Sequence, residues 1–330
     1  MYKNASFIGI LLALAIFLTA GVMLGRQKPP ELTAEYYSAC AQSMDQVTAG
    51  GQGDVYDFEG IEVFDEPDVF NLALYDVEGD EIVNPVFEVV PSNLKDEQKN
   101  SKLQNEAWLL FAGLIPPEDR AMVSQFNVFT DGPDNTLAAV DLNAEDLSSW
   151  KLEVDIADLD NPDELIFTMI HEYAHLLTLN AEQVELDMEI LADPYNIELQ
   201  QVKDAACSNY FTGLGCSYED SYIHVFYSRF WTDIEAEWSQ VDAIQYEPGA
   251  NVEYYNALYD FYLTHRDQFV SDYSVTHPTE DIAESFAHFV FNPRPVGNSV
   301  RDQKLLFFYE YPELVRLRGD ILNGTCTFGN

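Results

Sequence analysis

The alternation of apolar and polar positions predicts a strand and, after it, a buried helix. The stretch WKLEVDI at 150–156 places Trp150 and every second residue after it on one face, as in a half-exposed strand. A helix is expected to begin at Pro162, with Asn161 as its N-cap and acids in its first turn. Its sequence LIFTMIHEYAHLLTL is apolar almost all round, which predicts a buried central helix that ends near Asn180.

Patterns elsewhere in the chain indicate an α+β fold. Between Val55 and Val90, short apolar runs alternate with acids and predict strands of a small β-rich unit or of a sheet attached to the main domain. Residues 99–114 are predicted to form a helix that ends before Pro116, and SQFNVFT and NTLAAVDL are strand candidates. Later helices are predicted at 219–240, 251–271, 280–291 and about 300–320.

The N-terminal segment 1–28 differs from the rest of the chain. Residues 5–25 carry no charge and are long enough to cross a lipid bilayer. Basic residues flank this run on both sides, so the charge pattern gives no clean orientation. We expect a single-pass signal anchor in the cell membrane with the body outside the cytoplasm; a cleaved signal and a secreted protein are the alternative.

The predicted organisation has four parts. Residues 29–55 are rich in Pro, Gly and polar residues, which is typical of a spacer. The order is therefore an anchor at 1–28, a spacer at 29–55, a small β-rich segment at 56–92 and a larger domain at 93–330.

Charge excludes one class of partner. The chain has 16 Lys and Arg against 57 Asp and Glu, a formal net charge of −41. Nucleic-acid binding needs a basic face, and this composition does not supply one. Since 47% of the residues are hydrophobic and 13% are aromatic, the chain is not a disordered acidic one. The acidic coat is interpreted as a source of solubility.

The four cysteines suggest disulfides. An even number behind an export signal is consistent with two bridges, and four buried free thiols are the alternative. Cys207 and Cys216 bracket the loop SNYFTGLG, where we expect one bridge. Cys40 and Cys326 would then form the other.

The predicted central helix contains the motif HEYAH. His171 and His175 are four residues apart and share one helix face, so both imidazoles can reach one metal ion. Glu172 is placed to accept a proton from a metal-bound water. Two satisfied core histidines are the alternative, but they leave Glu172 buried without a basic neighbour in sequence. The motif therefore predicts a catalytic Zn²⁺ ion.

A catalytic zinc site needs a third protein ligand. The HExxHxxGxxH extension is absent, because positions 178 and 181 are Thr and Ala. Downstream, Glu280 and Glu284 are four residues apart and share a helix face. One carboxylate can bind zinc while the other accepts the N–H of a ligating imidazole. Acids favoured by the helix dipole are the alternative interpretation of Glu280.

HEYAH, followed far downstream by Tyr-x6-Glu-x3-Glu, resembles the gluzincin metallopeptidases, in particular the anthrax lethal factor and Pro-Pro endopeptidase group. The stretch HPTEDIAESFAHFV also resembles bacterial zinc metallopeptidases that carry an HPxEDFAExxAHY segment. The resemblance covers about 150–180 and 270–291. It implies a zincin-like α+β domain with a small mixed sheet, an exposed edge strand, a central HExxH helix and a helical C-terminal part.

The resemblance also implies a role for each site residue. Glu284 would orient a ligating histidine, His171, and Tyr273 would stabilise the oxyanion. His277 is the alternative to Tyr273 as oxyanion donor, and it could also compete for the metal. The implied zinc ligands are His171, His175 and Glu280.

These features predict a membrane-anchored zinc endopeptidase that cleaves peptide or protein substrates, with Glu172 as general base. WKLEVDI is expected to be the exposed edge strand along which an extended peptide lies. A non-catalytic extracytoplasmic interaction protein that keeps a zincin fold is one alternative. A calcium-binding adhesion module is another, since Asp155, Asp158 and Asp160 are close in sequence.

Overall fold

The structure is a computed structural model that describes Val47, residues 68–133 and residues 135–328. The predicted anchor at 5–25 and the predicted spacer at 29–55, apart from Val47, lie outside the described residues. Within the described part of the chain, no helix has the length and apolar character needed to cross a membrane.

Five strands form one mixed sheet. They are β1 (Phe70–Glu78), β2 (Glu81–Val86), β3 (Val123–Thr130), β4 (Ala138–Leu142) and β5 (Trp150–Asp155). The order is β2-β1-β3-β5-β4, and every neighbouring pair is antiparallel except β3 and β5. Because β1 pairs with β3, the described part of the predicted segment 56–92 belongs to the main sheet and does not form a unit of its own.

The edge of this sheet differs from the expectation. WKLEVDI was predicted to be the exposed edge strand, and this was wrong, because β5 lies between β3 and β4. The end strand beside it is β4. The alternating pattern of β5 predicts which face of the sheet each side chain lies on, whereas the strands that flank β5 depend on pairings with distant residues.

Asp155, at the end of β5, is fully buried and accepts hydrogen bonds from the backbone N–H groups of Asp131 and Ala157 (2.8 and 2.7 Å).

Helices make up most of the remaining described structure. In chain order they are α1 (Lys95–Gln98), α2 (Ser101–Leu114), α3 (Pro162–Leu179), α4 (Met188–Ala192), α5 (Ile197–Ala206), α6 (Tyr222–Phe230), α7 (Glu235–Asp242), α8 (Asn251–His265), α9 (Pro278–Phe291), α10 (Val300–Phe307) and α11 (Pro312–Phe328). The regions predicted to be helical at 219–240 and about 300–320 are mostly helical, and each forms two helices. In the second region, Pro312 begins α11 and separates it from α10. In the first region, Trp231 and Trp238 pack edge to face, with ring centroids 5.6 Å apart, across the break between α6 and α7.

The helix α3 lies at the centre of the fold. It contacts β4 along the sheet and α9 on another side. Every residue of α9 from Pro278 to Phe291 except Glu280 is buried, and the apolar positions of α3 face this helix and the sheet. The two helices thereby bring the HEYAH motif next to Glu280, which lies 109 positions after His171 in the chain.

A two-stranded sheet supports a separate segment beside the core. Strands β6 (Val184–Leu186) and β7 (Gly215–Ser217) are antiparallel, and α4 and α5 lie between them in sequence. Gly215 is required here, because a Cβ atom at this position would overlap the carbonyl oxygen of Glu185. The predicted Cys207–Cys216 disulfide is present, with 5.5 Å between the Cα atoms. Cys40 of the predicted Cys40–Cys326 bridge lies outside the described residues.

Candidate metal centre

Two helices supply the side chains of the candidate metal centre. His171, Glu172 and His175 project from the middle of α3, and Glu280 comes from the first turn of α9. Pro278 begins α9, and the His277 ring caps it by accepting the backbone N–H of Thr279 at 3.3 Å. The start of α9 is therefore fixed by local sequence, and this places Glu280 against the HEYAH motif.

Three donor atoms form a small triangle. Glu280 Oε2 lies 3.1 Å from His171 Nε2 and 3.2 Å from His175 Nε2, and the two Nε2 atoms are 3.1 Å apart. Donors bound at about 2.0–2.1 Å to a tetrahedral zinc ion lie roughly 3.3–3.4 Å from one another. The residues therefore fit a zinc ion with three protein ligands and one open position.

Hydrogen bonding sets the orientation of the first histidine. His171 Nδ1 donates to Glu284 Oε1 at 2.8 Å, which directs Nε2 toward Glu280 and His175. The Nδ1 atom of His175 is buried and has no hydrogen-bond partner among the described residues. The two imidazoles are therefore held differently: a carboxylate bonds Nδ1 of His171, whereas the polar contacts of His175 are made through Nε2.

Burial and charge act against each other in this cluster. Burial favours the neutral ring of His171, but its hydrogen bonds to Glu280 and Glu284 outweigh this and hold the pKa of His171 well above its usual range. Burial favours the protonated form of Glu280, yet the two histidines keep the pKa of this carboxyl well below its usual range. The two carboxylates thus favour positive charge at the His171 ring, and a cation bound at Nε2 would take the place of the proton there.

Glu172 lies beside the triangle and is half-buried. One side-chain donor atom from each of His171, Glu172 and His175 lies within 4.8 Å of the others. Burial raises the pKa of Glu172, while the two histidines and a backbone hydrogen bond from Val140 of β4 act in the opposite direction. A carboxyl with a raised pKa next to a metal position can take up and release a proton.

A cavity of about 950 Å³ opens onto this cluster. Glu172, His175 and Glu280 form its floor together with Tyr273. Residues 139–142 of β4 and the loop that follows line one side, and Thr212–Leu214 of the disulfide-closed loop line another. Among the strands that the structure describes, β4 is at the end of the sheet, so the cavity places a strand edge next to the candidate metal position.

The structure distinguishes the two candidates for the oxyanion donor. Tyr273 lines the cavity, and its ring centroid is 5.7 Å from that of His171. His277 is not among the lining residues of this cavity; its Nδ1 bonds Thr279, and burial lowers the pKa of His277 to about 4. Tyr273 is therefore better placed for a substrate, and His277 serves as the N-cap of α9.

The remaining histidines do not reach the donor triangle. His265 Nε2 is 3.0 Å from Glu237, and His224 Nε2 is 3.4 Å from the Ser228 hydroxyl. His288 is buried in α9, where it bonds Asn292 at 2.7 Å. Three acids were considered for calcium: Asp155, Asp158 and Asp160. Among the described residues, they do not form a group that could hold a metal ion.

The Cys207–Cys216 disulfide holds a wall of the cavity. Replacing both cysteines by Ser should lower the free energy of unfolding by about 2–3 kcal/mol, the value expected for closing a loop of this size. Urea unfolding of the full-length protein in detergent measures this difference, with the reduced wild type as control. An unchanged transition would show that the segment 187–216 opens independently of the core.

Sequence reasoning missed two features of the site. One is β4 as the edge strand, for which its five-residue length and the exposed acid Asp141 were available signals. The other is Ser271, which donates a hydrogen bond to Glu284 and for which the sequence carries no signal. Comparison with known protein families, with characterised proteins and with solved structures found no match for this chain.

Proposed function

We propose that this protein is a membrane-anchored, zinc-dependent endopeptidase. The observation that supports this most directly is the donor triangle of His171, His175 and Glu280, with Glu172 beside it at the floor of a cavity. A structural zinc site has four protein ligands, whereas three ligands and a cavity leave room for water and substrate.

A bound zinc ion would lower the pKa of a water at its open position and polarise the scissile carbonyl. Glu172 accepts the proton of that water and later delivers it to the leaving amine. Tyr273 donates its hydroxyl proton in a hydrogen bond to the developing oxyanion. Glu284 holds the His171 ring in place through Nδ1.

The substrate is an extended peptide that lies along β4. The open edge of this strand offers backbone N–H and C=O groups to such a chain. The backbone of Val140 in β4 also forms a hydrogen bond with Glu172, so the strand lies directly beside the general base. A peptide bound there crosses the position of the metal with its backbone aligned.

The test is cleavage of a peptide library by the full-length protein in detergent. We expect cleavage that a chelator abolishes and added Zn²⁺ restores, together with one bound zinc per chain. Cleavage that survives removal of all metal would overturn the proposal, and so would a pure protein that binds no zinc.

Glu280→Ala should bind zinc at least about 100-fold more weakly than wild type, because a direct ligand contributes more than the outer groups whose loss weakens binding 10–100-fold. Competition with a chromophoric chelator measures the affinity. Glu253 is the matched control, since it is also a first-turn acid of a helix but is exposed. Equal zinc affinity in Glu280→Ala and Glu253→Ala would remove Glu280 from the ligand set.

The proposed location is outside the cytoplasm. The Cys207–Cys216 disulfide supports this, because such bridges persist in oxidising compartments. The predicted anchor at 5–25 would then hold the enzyme at the cell membrane, where its substrates are exported or surface proteins.

A further inference from the structure

The carboxylate of Glu284 is held at both oxygens. Oε1 accepts the His171 Nδ1–H at 2.8 Å, and Oε2 accepts the Ser271 hydroxyl at 2.6 Å. The side chain of Glu284 is only 5% exposed, so no bulk solvent replaces a lost partner. Burial favours its protonated form, but these two donors and the nearby His288 keep the pKa of Glu284 below its usual range.

Ser271 is itself fixed by a second serine. Its single hydroxyl proton goes to Glu284, so the contact of 3.0 Å between the two hydroxyl oxygens requires Ser274 to donate. The backbone N–H of Ser274 also donates to Ser271 Oγ, at 3.2 Å. Ser274 is fully buried. The result is a directed chain of hydrogen bonds that runs from Ser274 through Ser271 to Glu284.

Glu284 extends this chain to a candidate metal ligand, His171. A carboxylate held at both oxygens cannot rotate about its own axis without breaking a buried hydrogen bond, and leaving a buried acceptor unsatisfied is unfavourable. Its Oε1 therefore stays in the plane that receives His171 Nδ1–H. We propose that Ser271, supported by Ser274, is a positioning residue that fixes Glu284 and through it the His171 imidazole for metal binding.

The proposal rests on the metal site of the proposed function. It also links that site to the oxyanion donor, because Tyr273 lies between the two serines in the short 3₁₀ turn Tyr273–Val275. The short segment 271–275 thus contains both Ser271, which bonds the carboxylate of Glu284, and Tyr273, which lines the cavity.

Two variants of Ser271 and one of Ser285 test this. Ser285 follows Glu284 on α9, is fully buried and has a hydroxyl that bonds no other residue in the described part of the chain, so Ser285→Ala is a matched control. With Zn²⁺ as the only probe, we expect Ser271→Ala to bind it about 10–100-fold more weakly in competition with a chelator. Ser271→Thr keeps the hydroxyl and should restore the affinity, and Ser285→Ala should equal wild type.

A second measurement on the metal-free protein separates the proposals. In protein labelled with ¹⁵N at histidine, the His171 Nδ1–H signal should be present in wild type and Ser271→Thr and lost by fast exchange in Ser271→Ala. Wild-type zinc affinity in Ser271→Ala, or no rescue by Ser271→Thr, overturns the positioning role. If wild type binds no zinc, the proposed function fails, and the Nδ1–H signals alone decide whether Ser271 positions His171.

Discussion

Glu172→Gln should reduce peptide hydrolysis by about 10²–10⁴-fold while the zinc content stays at the wild-type level. Gln has the shape of Glu but cannot accept a proton, so the variant removes the general base without emptying the half-buried position beside His171. Zinc affinity should persist because Glu172 is not one of the three atoms of the donor triangle. The measurements are kcat on a cleaved peptide and bound zinc per chain.

Glu182→Gln is the matched control, because Glu182 follows the same helix and is exposed. It should leave both turnover and zinc unchanged. If Glu172→Gln turns over substrate within a few-fold of wild type, another group is the base. If it loses its zinc, Glu172 contributes to metal binding instead.

Lys304→Met should lower the free energy of unfolding by about 3–5 kcal/mol. The Lys304 side chain is fully buried, and its ammonium nitrogen lies 2.6 Å from Asp281 Oδ2 and 3.9 Å from the ring centroid of Phe269. Removing the cation leaves the carboxylate of Asp281 buried with Trp231 Nε1 as its remaining donor, at 2.8 Å. Urea unfolding of the full-length protein in detergent measures the change.

An exposed lysine provides the control for this experiment. Lys102 pairs with Glu106 at 3.0 Å on the surface of α2, with its side chain 86% exposed, and Lys102→Met should change stability by less than about 1 kcal/mol. Combining Lys304→Met with Asp281→Asn should recover part of the loss, because no unpaired charge remains buried. A loss as small as that of Lys102→Met would show that the buried pair contributes little.

The sequence carries strong information where structure is local. The helix expected from Pro162 is α3, which ends at Leu179, because the proline of its first turn, its first-turn acids and its apolar residues all act within a few positions; the predicted N-cap Asn161 makes no side-chain capping hydrogen bond. The spacing of His171 and His175 places both rings on one face for the same reason. Pro278 likewise marks the start of α9, and this places Glu280 in the first turn of that helix.

Features that depend on distant residues could not be predicted in the same way. The edge position of β4 follows from the parallel pairing of β3 with β5, which no local pattern specifies. Asp281 is a first-turn acid of α9, yet it is buried against Lys304, whose proximity depends on how α10 packs on α9. Ser271 contacts Glu284 only because the 3₁₀ turn at Tyr273–Val275 folds back on α9.

The open edge of β4 has a consequence for the protein in solution. A strand edge that can accept a peptide can also accept the same edge of another copy, which is the first step of β-sheet aggregation. Asp141, exposed on β4, places a charge on that edge. The formal net charge of −41 adds repulsion between two copies. This excess of acid opposes pairing of the β4 edge with a second copy and leaves the edge available to other chains.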